Sequence, residues 1–183
     1  MLLKFIRYAV KNPMEVGAFF PSSRFLADKM IENIDFDKSI NLVEIGAGTG
    51  AITNRILSRM RPDARLFCFE KSLNFFESLK DIKDDRLALI NDRAENIKNH
   101  LNAYGLDSVD CVISTLPLAT LPDPVVDEVL VKIKEVLPAG GIYTQLQYSL
   151  FSLKKVKGHF SNVKISFTPL NYYPSFVYTS KNN

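Results

Sequence analysis

Short apolar runs alternate with amphipathic stretches along most of the chain, and this alternation predicts β-strands separated by α-helices. The runs of strand length lie at the start of residues 41–53 and at residues 65–69, 86–90, 109–113, 142–147, 162–168 and 175–179. Strands alternating with helices indicate a parallel, doubly wound sheet. The last two runs have no good helix between them and predict an antiparallel hairpin at one edge. We therefore expect an α/β, Rossmann-like, seven-stranded sheet that is mostly parallel.

The helical stretches carry apolar residues three and four positions apart. They lie at residues 73–79, 94–104 and 123–136, and one more is expected to begin after Pro21-Ser22-Ser23, with Phe25, Leu26 and Met30 on its buried side. Phe19 to Ser23 are interpreted either as the cap of this helix or as a lid over a ligand. We expect one domain over residues 1–183, with docking or lid helices in 1–35 and a Rossmann-like core in 36–183.

Residues 1–12 also have a helical period, with the basic side chains Lys4, Arg7 and Lys11 opposite an apolar side. Such a helix either packs on the domain or lies on an anionic membrane surface, where each basic residue would contribute about 1 kcal/mol. The interleaved charges exclude a secretory signal.

Composition narrows the possible partners only modestly. The net charge of +3 is too small to indicate nucleic-acid binding, and no apolar run reaches the roughly 20 residues that span a bilayer. Cys68 and Cys111 lie in apolar runs, as expected of buried thiols in a reducing compartment, and no Cys/His cluster indicates a metal. We expect a cytoplasmic location.

The sequence NLVEIGAGTGAIT at residues 41–53 is typical of a buried strand that turns sharply into a helix. Gly46, Gly48 and Gly50 leave room for a ligand against the backbone, and free N–H groups at such a turn bind polar ligands. The pattern also satisfies the loose dinucleotide motif. Glu44, however, would stand close to a pyrophosphate, and the chain offers no second domain for hydride transfer.

Acidic residues follow three neighbouring strands, and ligands of such sheets bind beyond the carboxyl ends of the strands. Glu70 comes twenty residues after Gly50, which is the spacing of a carboxylate that binds ribose hydroxyls, and Asp92 is positioned to accept from an adenine amino group. These residues indicate an adenosine-containing ligand. S-adenosylmethionine fits best, because its sulfonium and amino group are favoured by nearby carboxylates.

The chain resembles the class I S-adenosylmethionine-dependent methyltransferases over nearly its whole length. Val43 to Gly50 match the glycine motif of that class, Glu70 and Asp92 its ribose and adenine acids, and Leu137 to Gly141 its late Pro/Gly turn. Within the class, the chain is most similar to bacterial phospholipid N-methyltransferases, which methylate phosphatidylethanolamine towards phosphatidylcholine. That similarity rests on Pro21-Ser22-Ser23, on Ser114 to Leu118, on Gln145 with Tyr148-Ser149, and on Asn171 to Pro174.

The resemblance implies a set of site residues and a location at the inner face of the membrane. The expected cofactor residues are Ser22, Ser23, Glu44, Gly46, Ala47, Gly48, Gly50, Glu70, Lys71, Asp92, Arg93, Ala94 and Ser114. The expected acceptor residues are Phe20, Leu116, Pro117 and Tyr148, and Tyr148 and Ser114 are the catalytic candidates. The implied partner is an anionic phospholipid surface, bound through residues 1–12; neither DNA nor a metal is expected.

The chain departs from the phospholipid family at Thr115, where glycine is typical, and at Tyr172-Tyr173, where the tail is usually richer in proline. Both departures concern the acceptor pocket. Lys154, Lys155 and Lys157 either meet lipid phosphates or form a solvated helix face. His100 and His159 lie away from the motifs and are not expected to act as bases. The backbone carbonyls around Leu116-Pro117 are expected to help orient the acceptor amine.

Three alternatives remain open. The first is an rRNA adenine dimethyltransferase, although those enzymes place an Asn before the Leu-Pro and this chain has Ser114. The second is a small-molecule N- or O-methyltransferase. The third is a non-catalytic module that binds S-adenosylmethionine.

Overall fold

The computed structural model describes residues 22–169, 171 and 173–182, and these residues form a mixed sheet covered by helices on both faces. The strands are β1 (Asn41–Ile45), β2 (Arg65–Phe69), β3 (Leu87–Ile90), β4 (Cys111–Ser114), β5 (Ile142–Gln147), β6 (Lys164–Thr168) and β7 (Ser175–Lys181). The α-helices of the described residues are α1 (Arg24–Ile31), α2 (Ala51–Leu57), α3 (Leu73–Leu79), α4 (Ile97–Ala103), α5 (Asp123–Val136) and α6 (Leu153–His159).

The seven strands lie in the order β3-β2-β1-β4-β5-β7-β6. The first five of that order are parallel, and β7 pairs antiparallel with both β5 and β6. The predicted fold class and the predicted antiparallel hairpin at the edge are therefore confirmed. Because chain order reverses beside β1, the carboxyl ends of β1 and β4 lie next to each other at the usual position of a ligand.

Two apolar layers sandwich the sheet, because alternate residues of each buried strand point to opposite faces. On one face, Leu26, Met30 and Ile56 of α1 and α2 pack on Leu42 and Ile113. On the other, side chains of α4, α5 and α6 pack on Val43, Phe67, Val112 and Tyr143. This double burial explains why the inner strands read as continuous apolar runs rather than as alternating ones.

Several predicted elements differ at their ends for local reasons. The strand predicted from residue 109 begins at Cys111, because Val109 N donates to Val136 O rather than to a neighbouring strand. The helix predicted over 94–104 is a 3₁₀ turn, Ala94–Asn96, followed by α4. Leu26 and Met30 are buried as predicted, whereas Phe25 is 62% exposed, so its predicted burial is wrong.

The predictions for residues 1–12, Phe20 and Pro21 lie outside the described residues. Within the described part of the chain, no helix combines the length and the apolar character needed to cross a bilayer.

Candidate active site

The glycine turn lies at the carboxyl end of β1 and carries three glycines with positive φ angles of 80° at Gly46, 55° at Gly48 and 79° at Gly50. Among the described residues, no heavy atom lies within 4 Å of a Cβ built at Gly48, so this part of the structure leaves space where a ligand can approach the backbone. A Cβ at Gly46, by contrast, would come within 2.8 Å of Thr115 Oγ1. Gly48 therefore provides access for a ligand, and Gly46 provides room for Thr115.

Glu70 closes one side of this turn. Its Oε2 accepts a hydrogen bond from Gly48 N at 2.9 Å, and its Oε1 accepts one from Ser72 N at 2.8 Å. The carboxylate therefore lies at the glycine turn, as a ribose-binding acid requires. The side chain of the adjacent Lys71 points to solvent, and its carbonyl accepts from Asn91 Nδ2 at 3.2 Å. Asn91 Nδ2 also donates to Glu70 O at 2.7 Å, and it thereby ties β3 to the segment that carries Glu70.

Asp92 follows β3 and is held from several directions. Its Oδ1 accepts from Arg93 N at 2.7 Å, both of its oxygens lie 3.1 Å from Asn96 Nδ2, and its Oδ2 lies 2.7 Å from His100 Nε2. His100 and these donors lower the pKa of Asp92, so the carboxylate is charged near neutral pH. The expectation that His100 lies away from the motifs is wrong, because α4 turns this histidine back onto the strand-end acid.

The two residues after Asp92 differ in exposure. The Arg93 side chain pairs with Glu95 at 3.1 Å and remains half exposed, whereas Ala94 is buried in the core. Ala94 thus anchors the 3₁₀ turn beneath the Asp92 loop.

Glu44 lies beneath the glycine turn rather than on its surface. The side chain is fully buried, and its Oε2 accepts from Thr53 Oγ1 at 2.6 Å and from Cys68 Sγ at 3.7 Å. Its Oε1 has no hydrogen-bond partner among the residues that the structure describes, and burial raises the pKa of Glu44 to about 7. Glu44 therefore supports the turn from beneath, below the buried Ala47 and the partly exposed Gly48, and the expected contacts of Glu44 and Ala47 with the cofactor stay predictions.

Ser114 is also buried completely, and its expected roles towards the cofactor and the acceptor stay predictions. Its side chain lies on the sheet face that carries Tyr143, and its Oγ accepts from Leu116 N at 3.3 Å. This hydrogen bond ties the Ser114 hydroxyl to the loop after β4. The residue directly before Leu116 is Thr115, whose Oγ1 donates to Gly46 O at 2.5 Å.

The buried side-chain amides of Gln145 and Gln147 on β5, which we call the amide ladder, hold the same loop. Leu116 O accepts from Gln145 Nε2 at 2.9 Å and from Gln147 Nε2 at 2.8 Å. Pro117 O accepts from Thr120 N at 2.9 Å and from Thr120 Oγ1 at 3.0 Å. Because Leu116 O accepts three hydrogen bonds, one of them from Leu118 N, and Pro117 O accepts two, the expectation that these oxygens orient an acceptor amine is not supported. The Leu116-Pro117 segment instead forms a rigid wall beside the glycine turn.

Tyr148 follows β5 directly and is half buried at the same edge of the sheet. Burial raises the pKa of its hydroxyl, so Tyr148 is a neutral hydrogen-bonding group at neutral pH. Its role towards an acceptor stays a prediction.

The two ends of the chain meet beside this edge. Ser23 caps α1 by accepting from Leu26 N at 3.2 Å, and its own N–H donates to Asn171 Oδ1 at 3.0 Å. Ser22 precedes it in the same turn and is half buried. Asn171 belongs to the connection between β6 and β7, so the two flanks on which the sequence resemblance relied are adjacent in space.

The residues present fit an adenosine-bearing cation. A glycine with open space beside it, a carboxylate at the turn and a charged carboxylate on the next loop converge on one edge of the sheet. The described residues contain no group of three or more His, Cys, Asp or Glu side chains that could hold a metal ion.

Comparisons with known proteins point the same way. The chain is 26% identical to ornithine lipid N-methyltransferase of Singulisphaera acidiphila over 171 residues, which is 92% of this chain and 89% of that enzyme. It is similar in structure to N-methyltransferase NodS from Bradyrhizobium japonicum in complex with S-adenosyl-L-homocysteine, with a TM-score of 0.71, 11% identity, and coverage of 87% of this chain and 86% of that one. The chain has the fold of the class I S-adenosylmethionine-dependent methyltransferases.

Sequence matches to RNA-modifying enzymes are shorter, although an rRNA methylase from Streptococcus thermophilus is similar in structure, with a TM-score of 0.61, 19% identity, and coverage of 86% of this chain and 94% of that one. The chain is 36% identical to ribosomal RNA small subunit methyltransferase A of Mesomycoplasma hyopneumoniae over 78 residues, which is 42% of this chain and 29% of that enzyme. No family model matches the chain. The methyltransferase resemblance expected from the sequence is confirmed at the level of the fold.

Sequence reasoning missed the side chains that position the site. His100 and Asn96 hold Asp92, and Gln145 with Gln147 holds Leu116. A helix that carries Asn and His four and eight residues after a strand-end acid offered one signal. Glutamines at alternate positions of an otherwise apolar strand offered another, because buried amides need partners.

Proposed function

We propose that the chain is an S-adenosylmethionine-dependent N-methyltransferase that acts on the amine of a lipid headgroup, with phosphatidylethanolamine as the acceptor. The observation that carries the proposal is the similarity to ornithine lipid N-methyltransferase, because it extends over 92% of this chain and 89% of that enzyme. A match of that extent includes the acceptor flanks as well as the cofactor half.

S-adenosylmethionine, when bound, supplies a methyl group on a sulfonium, which an amine lone pair can take by direct displacement. In the proposed site, Glu70 accepts hydrogen bonds from the ribose and Asp92 accepts one from the adenine amino group. The backbone at Gly48 allows close approach of the cofactor. Glu44 contributes from below by fixing the helix that follows the turn through Thr53.

The residues on the acceptor side act mainly by positioning the amine. Displacement transfers charge rather than creating it, so holding the amine in line supplies most of the rate. Tyr148 offers a neutral hydroxyl that holds the amine or relays its proton. The aliphatic ammonium, with a free pKa of ~10.4 by analogy with lysine, must lose a proton first. Desolvation beside the half-buried Tyr148 favours that loss.

An rRNA adenine methyltransferase is the second candidate, and the 36% identity over 78 residues favours it. Two observations make it weaker. That match covers only 29% of the RNA enzyme. In addition, the residue directly before Leu116-Pro117 is Thr115 rather than Ser114, so Thr115 stands in place of the Asn of the RNA enzymes, and its hydroxyl donates to Gly46 O.

We test the proposal by supplying the full chain with S-adenosylmethionine labelled on its methyl group. Anionic vesicles containing phosphatidylethanolamine, the same vesicles containing an ornithine lipid, and rRNA fragments are offered in parallel. We expect label in the phosphatidylethanolamine fraction. Label only in the ornithine lipid corrects the acceptor, and label only in RNA overturns the lipid proposal. Cofactor binding without transfer to any acceptor leaves a non-catalytic binding module.

A further inference from the structure

Four large apolar side chains are exposed beside the acceptor end of the site. Leu150 and Phe151 lie in the loop after β5, with Phe151 78% exposed, and Ile165 and Phe167 lie on the edge strand β6, with Phe167 54% exposed. We call Leu150, Phe151, Ile165 and Phe167 the apolar edge patch. Clustered exposed apolar residues are uncommon on a protein surface without a partner.

Strand register and one hydrogen bond bring these four residues to the same face of the sheet. Ile165 pairs with Tyr178 of β7, and Tyr178 OH donates to Ser149 O at 2.8 Å, one residue before Leu150. Phe167 pairs with Phe176, with ring centroids 5.3 Å apart, and Phe176 in turn pairs with Gln147 at the end of β5. The loop at 149–151 therefore lies over the hairpin face that carries Ile165 and Phe167.

The segment that carries the patch has only basic charged side chains, although Asp123 and Asp127 of α5 pair with Lys155 and His159 of α6. The sequence from residue 136 to residue 183 contains five lysines and no aspartate or glutamate. Lys154 and Lys157, three residues apart on α6, are exposed, and no acidic side chain of the described chain pairs with either of them. Lys155 differs, because it forms an ion pair with Asp123 of α5 and thereby connects α6 to α5.

We propose that the apolar edge patch, with Lys154 and Lys157, is a docking surface for an anionic membrane. The inference rests on the proposed function, since the loop that carries Phe151 begins at Tyr148. Apolar side chains enter the boundary between headgroups and acyl chains, and the two ammonium groups face lipid phosphates. Docking in this way turns the side of the site that carries Tyr148 towards the headgroup layer. An acceptor lipid can then reach the site without leaving the bilayer.

A membrane suits this surface better than a second copy of the chain. Exposed apolar residues on an edge strand promote pairing with other strands, but two copies joined there would bring Lys154 and Lys157 of each copy towards those of the other. An anionic surface gains from the same charges. Vesicle binding and the oligomeric state of the chain in solution distinguish a membrane from a second copy.

The test uses the full chain and measures binding by co-sedimentation with vesicles of phosphatidylethanolamine and phosphatidylglycerol, and with vesicles of phosphatidylcholine alone. We expect the double variant Phe151→Ser with Phe167→Ser to lose about tenfold in affinity for both compositions. We expect Lys154→Gln with Lys157→Gln to lose about tenfold or more, for the anionic vesicles alone. The matched controls are Val131→Ser, which removes an exposed apolar residue on α5, and Lys83→Gln, which removes an exposed lysine in the loop before β3; both should bind as the unaltered chain does.

Methyl transfer to a short-chain, water-soluble phosphoethanolamine lipid separates this inference from the proposed function. Both double variants should keep that transfer while losing transfer to vesicles. Unchanged vesicle binding by both variants overturns the docking surface, whether or not methyl is transferred. A change from dimer to monomer in the phenylalanine variant, with vesicle binding unaltered, assigns the patch to a second copy instead. Vesicle binding that depends on the patch, without transfer to any lipid, supports the surface and overturns the proposed function alone.

Discussion

Oδ2 of Asp92 lies 2.7 Å from Nε2 of His100, although the two residues belong to a loop and to the helix that follows it. Asn96 Nδ2 lies 3.1 Å from both oxygens of the same carboxylate. These contacts fix the direction of the acid before any ligand arrives. A carboxylate that is already oriented loses little side-chain entropy on binding, so His100 and Asn96 act as positioning residues for Asp92.

Asp92→Ala should weaken S-adenosylmethionine binding by about 1–3 kcal/mol, because a buried hydrogen bond to adenine is lost. His100→Ala should weaken it less, since Asn96 still holds the carboxylate. Isothermal titration calorimetry measures both effects, and Asp107→Ala, which removes an exposed acid after α4, is the control. Equal binding by Asp92→Ala and Asp107→Ala would mean that adenine binds elsewhere.

Gly48→Ala and Gly105→Ala form a matched pair. Both glycines have positive φ, 55° and 74°, and neither has an atom within 4 Å of an added Cβ. Each substitution should therefore lower the free energy of unfolding by a similar amount, about 1 kcal/mol. Only Gly48→Ala should also weaken cofactor binding, by about tenfold or more, because its methyl group enters the space beside the glycine turn. Equal cofactor affinities of the two variants would show that the cofactor does not occupy the space beside Gly48.

The buried carboxyl of Glu44 should make stability depend on pH. Burial raises its pKa from 4.5 to about 7, so the folded state retains a proton that the unfolded state releases between those values. The free energy of unfolding therefore falls as pH rises from 4.5 to 7, by about 3 kcal/mol from this group. The side chain of the Glu44→Gln variant cannot titrate. Its free energy of unfolding should therefore rise relative to that of the unaltered chain as the pH rises from 4.5 to 7. Urea denaturation at several pH values measures the difference, and a difference that does not vary with pH contradicts the account.

Gln147→Leu should lower the free energy of unfolding by about 1–3 kcal/mol, because it removes donors to Leu116 O and Leu146 O. Thr144 provides the control on the same strand, since no residue in the described part of the chain forms a hydrogen bond with its buried Oγ1. Thr144→Val should change stability by less than about 1 kcal/mol. The Gln147→Leu variant should also raise KM for the acceptor more than KM for the cofactor, because Leu116 is one of the residues expected to bind the acceptor. If the cofactor KM rises instead, the ladder supports the glycine turn.

The fold was largely predictable from the sequence, because burial on both faces produces apolar runs that strand periodicity identifies directly. The glycine turn and the acid Glu70 were found for the same reason: chain order alone brings the ends of parallel strands together. Exposure of Phe25 was not predictable, since its helical spacing suits burial and only the packing of α1 against the sheet decides which side faces solvent.

The hydrogen-bond partners of the side chains at the strand ends could not be predicted from the sequence. Ser114 and Glu44 are buried because helices cover both faces of β1 and β4, so a polar side chain on either face of these strands is enclosed. The contacts of Asp92 with His100 and of Ser23 with Asn171 depend on where a helix or a loop turns back, which local sequence does not specify. Residues 1–12, expected to dock on a membrane, lie outside the described residues, so that expectation stays a prediction.

The central claim is that the chain transfers methyl groups to the nitrogen of a lipid headgroup. The most direct measurement is mass spectrometry of phosphatidylethanolamine from anionic vesicles after incubation with the full chain and S-adenosylmethionine carrying a heavy methyl group. The account predicts headgroup fragments that carry the heavy methyl on nitrogen, and their loss in the Asp92→Ala variant. Unmodified headgroups in the presence of a chain that binds the cofactor, with the heavy methyl recovered in added rRNA, would contradict it.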